Sequence, residues 1–278
     1  MTDLAAVPAE EWEGATPAEW RERWGVPDLR IFRSVDSTND VARRLADRGA
    51  PGGTVVLTAE QRAGRGRRGR EWIGAPGQSL LLSVILRPPE ADAVSVLPLR
   101  LGLAVARAIE DTAGLEVGIK WPNDLIAAGR KLGGVLCEGA MEGGRTLFVI
   151  AGIGVNVLQR DNDWPAHLHG HATSIATETG RAVSIAGLAG HVVGVVSIAA
   201  GPGGLGGKPL QPDELDALAR RDLLRGHAIT VDGRSAGRAM GVDAAGALIV
   251  ETDGTTERII TGTVRVDAGR EHGTGDET

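Results

Sequence analysis

Between two apolar, β-branched runs lies a twelve-residue segment, Gln61 to Trp72, that carries five arginines and three glycines. A segment with that charge cannot enter a core, because guanidinium groups stay ionised and are costly to bury without partners. The flanking runs, Thr54-Val55-Val56-Leu57-Thr58 and Ser79 to Leu86, have the composition of buried strands. The chain must therefore build a sheet in which a mobile, charged loop separates two buried strands.

Further elements follow from local signals. Thr16-Pro17-Ala18-Glu19 places an N-cap, a proline at N1 and a glutamate at N3, predicting a short helix to about Trp24. Leu29-Arg30-Ile31-Phe32 reads as a strand, and Ser37-Thr38-Asn39-Asp40 opens a helix striped by Val41, Ala42, Leu45 and Ala46 and closed by Gly49. Leu97 to Ala113 has a core-helix pattern, Val117 to Trp121 is a strand, and a short loop is expected from Leu125 to Arg130. Lys131 to Glu138 and Leu147 to Val157 form a hairpin around Glu142-Gly143-Gly144-Arg145. Leu188 to Ala200 reads as helical, and the glycine-rich Gly201 to Gly207 as a flexible excursion. From Gly226 onward, five short strands suggest a small β-barrel: Ala228 to Val231, Arg234 to Val242, Leu248 to Glu251, Thr256 to Ile260 and Thr263 to Val266.

Composition narrows the classes. The 278 residues suffice for one catalytic domain and a small appendage. With six Trp, two Phe and no Tyr, the core must rest on aliphatic side chains. A single cysteine, Cys137, excludes an intramolecular disulfide and fits a reducing cytoplasm. Met1 to Gly14 lacks the basic and apolar regions of a signal peptide, and no apolar run approaches the roughly 18 residues of a membrane span. A net charge of −6 disfavours non-specific nucleic-acid binding, which draws on many phosphate contacts.

Each motif has a chemical and a structural reading. The arginine segment can wrap an anion with guanidinium forks and backbone N–H groups, or be a solvated or nucleic-acid-binding loop. Its Gly64, Gly66 and Gly69 match G-x-G-x-x-G, but a strand rather than a helix follows, so the dinucleotide fold fails. A phosphate-binding P-loop also fails, for want of Gly-Lys-Ser/Thr. Lys120-Trp121-Pro122-Asn123-Asp124 sets a cation and two polar side chains at a strand end, or is a simple turn. Lys131-Leu132-Gly133-Gly134 puts a lysine at a strand head, where a solvated charge is common. Gly152-Ile153-Gly154-Val155-Asn156 places glycines where a ligand can approach, or marks a bulge with a satisfied core asparagine.

In this order, Ser37-Thr38-Asn39, Gly64-Arg65-Gly66-Arg67-Arg68-Gly69, Lys120 to Asp124, Lys131 to Gly134 and Gly152 to Asn156 resemble the biotin–protein ligase family over about Leu29 to Val266. The resemblance implies an α+β fold: a mixed β-sheet with flanking helices, like the catalytic domain of class II aminoacyl-tRNA synthetases, plus a small C-terminal SH3-like β-barrel. The implied division is an N-terminal extension (1–27), a catalytic domain (28–222), the SH3-like domain (223–268) and a disordered tail (269–278). Met1 to Asp28 is too short for the helix-turn-helix domain of the family's repressors, so a monofunctional ligase without DNA binding is expected.

The implied chemistry joins biotin to ATP as biotinyl-5'-AMP, with magnesium, and passes the biotinyl group to a lysine of a biotin carboxyl carrier domain. By the match, Lys131, Arg67 and Asp124 are catalytic, with Lys131 beside the biotin carboxylate and α-phosphate and Asp124 orienting the incoming amine. Ser37, Thr38, Asn39 and Gln61 line the biotin head-group pocket, joined by Gly64, Arg65, Gly66 and Gly134 and by Arg67 and Lys131 themselves. Arg67, Arg70, Trp72, Asn123 and Asn156 take the adenylate. Ser37 can also be an N-cap, and Trp72 a core aromatic. No residue is assigned as a metal ligand, and a monomer or weak homodimer is expected. The competing readings are a lipoate–protein ligase and a non-enzymatic arginine/glycine module that binds nucleic acid.

Overall fold

The structure, a computed structural model, describes residues 6–87, 93–200 and 206–267. Most of the expected excursion at Gly201–Gly207 and all of the expected tail at 269–278 lie outside the described residues.

The N-terminal segment contributes β1 (Val7–Pro8) and α1 (Pro17–Trp24), the latter opened by the expected reciprocal Thr16–Glu19 capping box. Then come β2 (Leu29–Ser34), α2 (Thr38–Asp47), β3 (Val55–Thr58), β4 (Ser79–Leu86), α3 (Ala93–Ala113), β5 (Gly118–Lys120), β6 (Asp124–Ala127), β7 (Arg130–Glu142) and β8 (Arg145–Asn156). Three helices follow, α4 (Ile175–Thr179), α5 (Ile185–Ala200) and α6 (Pro212–Arg221), and then β9 (Ala228–Val231), β10 (Arg234–Val242), β11 (Leu248–Thr252), β12 (Thr255–Ile259) and β13 (Val264–Val266).

The first eight strands form one mixed sheet, ordered β1-β2-β3-β4-β8-β7-β6-β5, parallel only between β2 and β3. Its two faces differ. Leu57, Leu80, Leu82, Ile153 and Val155 pack with α3 and α5 in the main apolar core. The opposite face carries Val56, Ile85 and Ile150 under α2, which buries the stripe Val41, Ala42 and Ala46. Because side chains alternate along a strand, this second face continues past α2 through Ser83 and Leu81, Gly152 and Gly154, Leu136 and Gly134. Beyond the end of α2 it is open, and the cleft lies there.

Four hairpins turn on two residues that both have positive φ: Ala128–Gly129, Gly143–Gly144, Asp232–Gly233 and Asp253–Gly254. This is the type I′ geometry that matches strand twist. The first of them corrects the sequence reading, since Leu125 to Arg130 is not a loop but β6 and its turn. Ala128 takes φ +45 where Asn, Asp or Gly normally announces such a turn. Helix α3 begins a turn earlier than expected, with Pro98 inside it, and α6 was not foreseen.

Arg100, 2% exposed, staples α3 to the chain before α6. It donates to both carboxylate oxygens of Glu214 (2.6 and 2.7 Å) and to the carbonyls of Gly206, Lys208 and Pro209. The last five strands form an antiparallel sheet ordered β12-β11-β10-β9-β13, a meander whose final strand returns beside its first. Ile229, Ala239, Leu248 and Val250 of this sheet join the main core, and Trp121 Nε1 donates to the Gly246 carbonyl at 2.9 Å. The small sheet is thus docked by apolar burial beside the cleft.

Candidate active site

At the α2 end of the cleft the walls are neutral and tied together by hydrogen bonds. Gln61 Oε1 accepts from the Thr38 amide (2.8 Å) and hydroxyl (3.0 Å). Ser83 Oγ lies 2.8 Å from Thr38 Oγ1 and 2.6 Å from Asn39 Oδ1, and Asn39 Nδ2 donates to Glu138 at 2.6 Å. These bonds fix the amide orientation of Asn39. A β-carbon at Gly152 would stand 2.3 Å from Asn39 Oδ1, so only glycine leaves room for that side chain. Ser37 occupies the N-cap position of α2 but makes no side-chain capping bond, and it lines the cleft.

The arginine segment is a small hairpin lying over this pocket. Trp72 N–H donates to Gly64 O (2.9 Å), Gly66 N–H to Arg70 O (2.7 Å), and Arg65 bridges Glu71, with a single 3₁₀ turn, Arg67–Gly69, at the tip. Gly64 sits at the base, where a β-carbon would stand 2.6 Å from the Trp72 carbonyl; it is not among the cleft-lining residues. Arg65 is turned to carboxylates, Asp40 at 2.6 Å and Glu138 at 3.4 Å, and these bonds, Asp40 first, raise its pKa. It therefore anchors the hairpin to α2 and β7 rather than standing free for phosphate.

The other end is cationic. Lys120, Asp124 and Gly134 lie abreast on β5, β6 and β7. Lys131 Nζ reaches Asp124 Oδ1 at 2.6 Å and stands 5.9 Å from the Trp72 ring centroid. The backbone of Lys131 is held by the strap 171–173, its N–H donating to His171 O (2.8 Å) and its carbonyl accepting from Thr173 N (2.9 Å). The Trp72 indole lies on Gly154, where a β-carbon would stand 2.8 Å from the ring. Arg67 and Arg70 point to Thr261 Oγ1 (3.4 Å) and Thr263 Oγ1 (2.8 Å), and burial, followed by repulsion from Arg68, lowers the Arg67 pKa. Burial also lowers the Lys120 pKa; Asp124 opposes the shift, and Arg265, Lys131 and Arg70 add to it.

The structure thus brings Ser37, Thr38, Asn39, Gln61, Arg65, Gly66, Arg67, Arg70, Trp72, Asn123, Asp124, Lys131 and Gly134 to one cleft. Asn156 lies behind its floor at 3% exposure, with Nδ2 donating to Thr173 O (3.0 Å) and Oδ1 unpaired. Sequence reasoning missed Ser83 and Glu138, which position Asn39, and did not assign Lys120, although it saw that lysine four residues before Asp124. It had no signal for Thr263 and Arg265, which reach the cleft only because the second sheet docks there.

A mixed sheet with an open polar face, a neutral pocket and an adjoining cluster of cations suits an enzyme that activates a small carboxylic acid with a nucleotide. Residues 31–156 match the sequence model of the Biotin/lipoate A/B protein ligase family. The chain is 35% identical over 244 residues to the bifunctional ligase/repressor BirA of Bacillus subtilis (strain 168), covering 82% of this chain and 71% of that relative. With the biotin--[acetyl-CoA-carboxylase] ligase of Paracoccus denitrificans it shares 37% identity over 171 residues, 59% of this chain and 65% of that one. The biotin protein ligase of Aquifex aeolicus, solved in complex with biotin and ATP, superposes with a TM-score of 0.70 at 25% identity, over 87% of this chain and 100% of that one. The chain belongs to the biotin/lipoate A/B protein ligase family.

Proposed function

We infer that this protein is an ATP-dependent biotin–protein ligase. A biotin carboxylate oxygen attacks the α-phosphorus of ATP, the bond to the β-phosphate breaks, and biotinyl-5'-AMP and pyrophosphate form. An acceptor lysine amine then attacks the biotinyl carbonyl, loses a proton and displaces AMP. The observation that carries this reading is the continuity of the two ends: Thr38, Asn39 and Gln61 open directly onto Lys131, Lys120, Arg67 and Arg70. A neutral ureido ring needs fixed donors and acceptors, whereas the reaction that follows brings anions together and needs cations.

In this reading Lys131 stands beside the carboxylate and α-phosphate, oriented in advance by Asp124. Once Lys131 turns to phosphate, Asp124 is released to orient the incoming lysine or accept its proton. Arg67, Arg70 and Lys120 bind phosphate oxygens, and Trp72 shields the adenylate. Asn123 and Asn156 belong to the nucleotide side; Asn156 Oδ1 and Trp72 Nε1 are buried without a hydrogen-bond partner. Among the described residues no group of three or more His, Cys, Asp or Glu could hold a metal. Magnesium enters as part of MgATP.

The partner is a biotin carboxyl carrier domain, met by a monomer or weak homodimer in the cytoplasm; among the described residues no helix is long and apolar enough to cross a membrane. Residues 28–222 are the catalytic unit and 223–268 the SH3-like one. Incubation with MgATP, biotin and an added carrier domain should raise the carrier's mass by one biotinyl group. Lipoate in place of biotin should give little product, and equal modification by lipoate would favour a lipoate ligase.

A further inference from the structure

The tip of the arginine hairpin is built against local preference. Arg68 takes φ +57 and ψ +35, the left-handed region that costs free energy for any residue with a β-carbon, and Gly69 follows at φ +72. Two left-handed residues in succession reverse the chain between Arg67 and Arg70. A glycine at position 68 would adopt this turn more easily, yet the position holds a long cation, and that cation is fully engaged. Both Arg68 terminal nitrogens bond the carboxylate of Asp232, Nη2 to Oδ2 at 3.1 Å, and Nη1 also reaches Thr263 Oγ1 at 3.2 Å.

Asp232 is itself fixed. It opens the β9–β10 turn at φ +49, its Oδ1 accepts the Thr263 N–H at 2.9 Å, and its own N–H donates to Thr263 O at 3.0 Å. Through these bonds it grips the entry to β13, the strand that brings Thr263, Val264 and Arg265 into the cleft. The neighbouring arginines follow the same direction, Arg67 to Thr261 and Arg70 to Thr263. Three arginines of one hairpin thus meet one edge of the second sheet.

We propose that Asp232 is a positioning residue: through Arg68 it latches the arginine hairpin to the C-terminal sheet and so holds Arg67 and Arg70 over the cleft while the activated intermediate is inside. The proposal rests on the ligase reading above. Both partners are about half exposed, 45% and 46%, so the pair is screened by salt and its loss does not unfold the protein. Its effect falls on how long the mixed anhydride is kept from water, since hairpin and sheet together close that side of the cleft. The ionised state of Asp232 is secure, because the bond from Arg68 holds its carboxyl at about 2.

The test compares the wild type with Asp232→Asn, Arg68→Gly and the charge-reversed double variant Arg68→Asp/Asp232→Arg. Labelled biotin and MgATP load the enzyme, and loss of bound biotinyl-5'-AMP is followed after a chase with unlabelled biotin. Loss should be about two- to fivefold faster in both single variants, the scale of one well-formed exposed ion pair, with the double variant recovering part of the difference. Rising salt should accelerate loss from the wild type and leave the single variants nearly unchanged, a response that a merely structural role would not give. Thermal unfolding midpoints should stay within a few degrees of one another. Wild-type retention in both single variants, or single-variant effects that simply add in the double variant, would overturn the latch. A wild type that makes no adenylate at all would instead reject the ligase reading.

Discussion

At the Thr38 end of the cleft the polar groups of the wall answer one another, Gln61 to Thr38, Thr38 to Ser83, Ser83 to Asn39 and Asn39 to Glu138. At the Lys131 end, cations from four separate elements, Lys120, Lys131, Arg265 and the hairpin's Arg67 and Arg70, gather around Asp124. The first end rests on one face of a buried sheet and on glycines that admit no β-carbon. The second is assembled from strand ends, a hairpin and a docked sheet. Shape in the first place and charge in the second are set by different parts of the chain, so they should fail under different perturbations.

The largest effect is expected at the charged end. Lys131→Ala should abolish measurable adenylate formation, a loss of at least on the order of 10²–10³ in kcat, while circular dichroism shows the fold intact. Near-normal pyrophosphate release by the folded variant would reject Lys131 as the catalytic cation. At the neutral end a single methyl group should suffice. Gly152→Ala places a β-carbon against Asn39 Oδ1, and the displaced amide should raise the KM for biotin by roughly 5- to 150-fold, as overpacking of about 1–3 kcal/mol implies, with the KM for ATP much less affected. An unchanged biotin KM would show that Asn39 does not order the pocket.

Most of the elements were legible in the sequence because their signals are local. The Thr16–Glu19 capping box, the fully buried Ser79–Leu86, the Gly143–Gly144 turn and the five late strands all appear close to where they were expected. Strand β6 was lost because Ala128 disguises a type I′ turn, and α6 because its nearest signals lie beside a glycine-rich stretch. In the site, the ordered motifs located Lys131, Asp124 and the arginine hairpin, since each is a run of unusual residues. Ser83 and Glu138 look like ordinary strand residues, and their roles arise only from cross-strand register. Arg65, expected at the biotin pocket, does line the cleft, and its ion pairs with Asp40 and Glu138 come from register the motif does not show.

Two smaller effects sharpen the comparison. Raising sodium chloride from about 0.05 to 0.5 M should increase the KM for ATP severalfold and that for biotin less, because ATP brings several charges to the cationic end and biotin only its carboxylate. Equal salt sensitivity for both substrates would erase the distinction. The smallest effect concerns Lys120, whose pKa burial lowers. Below that lowered pKa it is charged and binds phosphate; as pH rises through it the charge is lost. The KM for ATP should therefore begin to climb at a lower alkaline pH in the wild type than in Lys120→Arg, whose guanidinium stays ionised. Superimposable pH profiles would remove Lys120 from the phosphate site.

In the proposed reaction one cleft binds biotin at its neutral end and activates it at its cationic end. Pyrophosphate release from MgATP, measured with and without biotin, tests this most directly. Release from the enzyme and MgATP alone should be negligible, with strong stimulation by biotin and little by lipoate. Release that is indifferent to biotin, or equally stimulated by lipoate, would contradict that reaction.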